Sequence, residues 1–115
     1  MKRYCFALDL KDDENLIGAY EEHHKNVWPG VIQHIQNTGI NNMEIYRAGN
    51  RLFMIIETND DFSLQWKAFM DANNPDIQQW EERMWQYQQA IPSANTGEKW
   101  VQMQQIFKLP GISNG

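Results

Sequence analysis

The sequence is short of the residues that most often announce a chemistry. It has one cysteine, Cys5. No intrachain disulfide can form, and no set of thiolates can hold a metal. The fold must rest on packing, which suits a reducing cytoplasm. No stretch approaches the ~20 apolar residues needed to cross a bilayer. Met1-Lys2-Arg3 leads into a short mixed segment containing Asp9, so no signal peptide is expected. Basic charge is also scarce. Ten Lys and Arg stand against 15 Asp and Glu, for a net charge of −5, and the longest basic run is Lys2-Arg3. Neutralising phosphates needs clustered cations, so no nucleic-acid partner is expected.

Several motifs are absent as well. The seven glycines sit at turns and form no phosphate-binding loop. There is no H-E-x-x-H spacing, and Glu21-Glu22-His23-His24 are sequence neighbours whose side chains do not converge, so no metal site is expected. The serines, Ser63, Ser93 and Ser113, have no histidine near them in sequence, so no nucleophilic triad is suggested. No internal repeat is present. At 115 residues the chain, 1–115, is expected to be a single domain.

What the sequence does carry is a clear alternation of patterns. Residues 3–10, RYCFALDL, alternate with period two and read as a strand. Asp12 or Asp13 can cap a helix starting near Glu14. Leu16, Tyr20 and His24 then share one helical face as far as Val27. Pro29 disfavours helix at Trp28 but suits a first turn, so a second helix starts there and stops at Gly39. Residues 40–47 and 51–58 form a hairpin turning at 48–50. Asp60 or Asp61 can cap the next helix, and Pro75 divides it from another reaching Ile91. A loop over 92–99 precedes a last strand over 100–109, and Pro110 starts a tail.

This order, β-α-β-β-α-β, is the ferredoxin-like α+β arrangement with one antiparallel sheet and helices on one face. Residues 52–56, LFMII, are apolar on both strand faces, yet one helical layer covers only one face of the sheet. A homodimer packed sheet to sheet, a dimeric α/β barrel, is therefore expected. The fold hosts many functions and decides none.

His24 is the first candidate for chemistry. Histidine titrates near neutrality and can both give and take a proton. His24 lies a helical turn after Tyr20 and a turn before Trp28. The plainer alternative is a solvated histidine at a helix C-terminus, and on spacing alone that alternative is the stronger. His23 points about 100° away. For His23 and His34 a surface position is expected. Of the five tryptophans, Trp66 and Trp100 are expected in the core. Trp80 sits in a helix of largely polar residues, where an aromatic face could stack on a sugar.

Tyr20-x-x-x-His24 followed by Trp28-Pro29, then GINNMEIY (39–46), LFMIIE (52–57), and Trp80 with Met84, resemble the L-rhamnose mutarotase family from about residue 3 to Leu109. The resemblance implies a dimeric ferredoxin-like protein that interconverts α and β anomers of 6-deoxy sugars without metal or cofactor. It implies His24 as the catalytic acid/base, with Tyr20, Trp80, Trp28 and Glu81 at the sugar. Glu81 stands where the family carries a second tryptophan, Gly30 where it usually has an acid, and His23 where it often has arginine. L-Rhamnose is the first substrate to expect and L-fucose its sibling. The rival readings are a sugar-binding or regulatory module, and another isomerase or a monooxygenase of the dimeric α/β-barrel families.

Overall fold

The computed structural model describes residues 1–111. Ser113 and the end of the tail lie outside the described residues. Strand β1 (Lys2–Leu10) is followed by helices α1 (Glu14–His23) and α2 (Pro29–Asn37). The hairpin β2 (Ile40–Ala48) and β3 (Arg51–Thr58) comes next, then α3 (Leu64–Ala72) and α4 (Pro75–Trp85). Two short strands close the order, β4 (Gln88–Gln89) and β5 (Val101–Gln102). The sheet runs β2-β3-β1-β4, with β5 also on β1 and every pairing antiparallel.

The punctuation residues act as their chemistry requires. Asp13 caps α1 by accepting from the Leu16 amide at 3.0 Å. Pro29 opens α2, and Gly39, at φ 96°, takes the left-handed turn that ends it. The caps at the second half differ from expectation. Ser63, not Asp60 or Asp61, accepts from the Trp66 amide and caps α3, because it directly precedes the first helical turn. Asn74 caps α4 in the same way.

Strand alternation divides the two faces. Phe6, Leu8 and Leu10 of β1 and Leu52 and Ile56 of β3 are buried under the helices. Each of the fully covered leucines stabilises the fold by about 1.5–3 kcal/mol. Leu10 and Leu52 pack with Tyr20, Val31, Ile77, Trp80 and Met84 in one cluster, and Phe6 and Ile56 pack with Ile40 and Phe62 in another. The opposite face shows Cys5, Ala7, Phe53 and Ile55 half-buried and Tyr46 exposed. Asp9 also lies on that face, buried and held by two bonds from Arg51 at 2.8 and 3.1 Å.

Three expectations fail at the element ends. Helix α1 stops at His23, before Val27, and residues 24–28 form the connection to α2. Helix α4 stops at Trp85, before Ile91, because Gln88-Gln89 leave it to pair with Leu10 and Asp9. The alternating segment 100–109 pairs only at Val101–Gln102, with the Met103 amide still reaching the Cys5 carbonyl. Beyond it Ile106, Phe107 and Leu109 are 93%, 73% and 75% exposed, so their alternation finds no covering layer within the chain. No described helix is long and apolar enough to cross a membrane.

Candidate active site

The end of α1 builds the centre of the site. His24 is the C-cap residue, and its Nδ1 lies 2.9 Å from the Tyr20 carbonyl oxygen. A carbonyl only accepts, so Nδ1 carries the hydrogen and donates it. Nε2 is then left with a free lone pair. The imidazole packs against the Tyr20 ring at 4.4 Å and edge-on against Trp80 at 5.5 Å. This desolvation is the main reason its pKa falls below the ordinary histidine value, and the charge of His23 adds to it. The bond to Tyr20 opposes both. Near neutrality His24 is a neutral base.

Tyr20 is buried in the core of the molecule, and burial pushes its phenol up to about 12. It stays protonated and serves as a hydrogen-bond donor. Gln88, carried by β4, donates to its oxygen from 3.5 Å, a long bond that leaves the O–H free to turn elsewhere.

These groups open into a cavity of about 330 Å³ between the sheet and the helices, a size suited to a small molecule. Tyr20, His24, Trp80 and Glu81 all line it. The sheet side is apolar, with Met43, Ile45, Met54 and Ile56. Burial raises the Glu81 carboxyl, the Asp71 charge raises it further, and Lys67, Lys99 and His34 partly offset this.

The remaining sequence candidates move. Trp28 does not line this cavity. It meets Trp80 edge-on at 5.3 Å, under the Arg83 guanidinium, because α1 ends early and the connection folds it behind α4. Trp80 is both cavity wall and core, at 8% exposure. His23 is half-buried rather than on the surface and bonds the Tyr87 hydroxyl at 3.0 Å. His34 is likewise not a surface residue. It is buried at 5% and lies 2.7 Å from Asp71. Trp66 is 56% exposed and stacks on Phe69, because α3 buries none of its residues, whereas Trp100 does pack on both core clusters. Gly30 leaves room for α4: a Cβ there would run into the Asp76 carboxylate. A carboxylate thus stands beside the first turn of α2, where negative charge is favoured, but α4 carries it.

Sequence reasoning missed Lys67, Asp71, Gln88 and Lys99, all in the cavity lining. An opposite-charge pair at i,i+4 was the available signal for Lys67 and Asp71. Gln88 had none, because it was read as part of a helix. Among the described residues no three His, Cys, Asp or Glu side chains converge as metal ligands.

Comparison with known proteins places this geometry. An L-fucose mutarotase of Xanthomonas campestris is 44% identical over 111 residues, covering 95% of this chain and 89% of that protein. Two solved structures share the fold. An L-rhamnose mutarotase from Formosa agariphila superposes with a TM-score of 0.71 at 21% identity, covering 96% of this chain and all of that one. A dimeric ferredoxin-like protein from an uncultured marine organism gives 0.55 at 12% identity, covering 94% and 91%. At these identities the structures speak for the fold alone. The sequence model of the L-rhamnose mutarotase family matches residues 3–109, so the chain belongs to that family.

Proposed function

We propose that this protein is an aldose mutarotase that interconverts the α and β anomers of a 6-deoxy-L-hexose, L-rhamnose or L-fucose. The observation that carries the reading is the His24 imidazole. Its tautomer is set by the Tyr20 carbonyl, and its free Nε2 belongs to a side chain that lines a partly open, largely apolar cavity.

The chemistry needs little more. Nε2 of His24 takes the proton from the anomeric hydroxyl as the C1–O5 bond breaks and C1 becomes an aldehyde. The departing ring oxygen accepts a hydrogen bond from the protonated Tyr20 phenol and then receives the proton from the imidazolium. Rotation about C1–C2 presents the other face of the aldehyde, and the reverse steps close the ring. No proton is gained or lost over the cycle. Each acid/base step contributes ~10²–10⁴-fold. Trp80 supplies an aromatic wall for the C–H face of the sugar, and the Glu81 carboxyl, in the same lining, can hydrogen-bond a hydroxyl. Trp28 supports the site by fixing Trp80.

The working form in this reading is a cytoplasmic homodimer. Its support is the half-covered apolar face with Phe53 and Ile55, and the exposed arm carrying Ile106, Phe107 and Leu109. Burying such surface is the usual reason for association. The test of the function is NMR exchange spectroscopy on L-rhamnose and L-fucose. A mutarotase accelerates α/β exchange of at least one sugar at catalytic protein concentration. Shifted or broadened resonances without faster exchange would leave only a binding module.

A further inference from the structure

The cavity holds a second polar group that the acid/base chemistry does not use. Lys67 and Asp71, one turn apart on α3, form an ion pair at 2.5 Å. The other oxygen of Asp71 is held at 2.7 Å by Nε2 of His34 on α2, which is 5% exposed. Both Lys67 and Asp71 line the cavity. Even a fully buried ion pair is a weak source of stability, and this one is only partly buried. A charged pair facing an apolar sheet wall, with its carboxylate orientation held by His34, is better suited to a polar ligand.

The geometry points to Lys67 and Asp71 as the groups that read the sugar's C3 and C4 hydroxyls and so set which 6-deoxy-hexose is accepted. This rests on the mutarotase reading above for its substrate. With C1 and O5 engaged by His24 and Tyr20, the C2 hydroxyl falls beside the same residues. The hydroxyls across the ring, on C3 and C4, need separate partners. The sheet walls, Met43, Met54 and Ile56, offer none. Lys67 has three N–H donors and spends one on Asp71, and each Asp71 oxygen keeps a lone pair. Together they can give to one hydroxyl and accept from its neighbour. L-Rhamnose and L-fucose differ in configuration at C2 and C4, so a pair fixed at C4 distinguishes them.

The test uses methyl glycosides of L-rhamnose and L-fucose, which keep the C2, C3 and C4 hydroxyls but cannot open, together with their 4-deoxy analogues. Affinities are measured by NMR titration for the wild type, Lys67→Met and Asp71→Asn, with thermal melts confirming each fold. The expected result is that Lys67→Met weakens binding of the preferred glycoside about tenfold or more, the usual worth of a hydrogen bond to a charged group. The loss should vanish with the 4-deoxy analogue, and the ratio of affinities for the two sugars should narrow. Wild-type affinity in folded Lys67→Met and Asp71→Asn overturns the inference, as does an equal loss with the 4-deoxy sugar. If the wild type also fails to bind either glycoside or to speed exchange of the free sugars, the mutarotase reading falls with it. If exchange catalysis stands while the variants bind normally, only the hydroxyl-reading role is lost.

Discussion

His24→Asn separates chemistry from structure at this site. Asparagine places an N–H close to where Nδ1 stands, so the bond to the Tyr20 carbonyl, 2.9 Å in the parent, can be kept. The Nε2 position is deleted. The structural cost is the loss of ring contacts with Tyr20 and Trp80. Aromatic pairs contribute about 0.5–1.5 kcal/mol each, so about 1–3 kcal/mol is lost in total. Against a folding free energy of about 5–15 kcal/mol the protein stays folded. The kinetic cost is larger. Removing the acid/base group forfeits ~10²–10⁴-fold, which is roughly 3–5.5 kcal/mol of barrier. Exchange NMR at a temperature well below the melting transition, with circular dichroism on the same sample, reads both effects. An exchange rate within about tenfold of wild type, in a folded variant, would falsify the assignment of His24.

Three further outcomes are expected. Catalysis needs neutral His24, whose pKa burial lowers, so exchange should be flat from pH 8 to 7 and fall only below about 6.5, the ordinary histidine value; a half-maximal point at or above that value in the pH–rate profile would contradict this environment. Trp80→Ala should cost about 3–5 kcal/mol in denaturant melts, because the side chain is core as well as cavity wall, whereas Trp80→Phe should stay folded and bind sugar more weakly; unchanged affinity in Trp80→Phe removes it from the sugar. Ile55→Glu places a charge on the bare sheet face and should shift the protein from dimer to monomer in light scattering with its secondary structure intact; an unchanged mass puts the interface elsewhere.

Much of the fold was legible because its signals are local. The alternation of β1, Pro29 at the start of α2, Gly39 at its end and the turn at 48–50 each act within a few residues. The errors concentrate where a partner distant in sequence decides. Helix α4 could have continued past Trp85, but β1 offers Gln88 a place in the sheet. His34 looks solvated among Gln33, Gln36 and Asn37, yet Asp71, 37 positions away, draws it inside. Trp66 carries a core-forming side chain, but α3 buries none of its residues fully and leaves it 56% exposed.

The candidate site divides along the same line. By itself the sequence determined that Tyr20 and His24 share a turn, because helix geometry places residues i and i+4 on one face whatever surrounds them. Its ordered motifs also matched one family along nearly the whole chain. Only the tertiary structure decided that His24 lines a cavity, that Trp28 packs on Trp80 outside its lining, and that Lys67 and Asp71 line the same cavity. Those arrangements depend on how α3 and α4 pack over the sheet. Packing is a matter of shape and burial between distant segments, which no local pattern encodes.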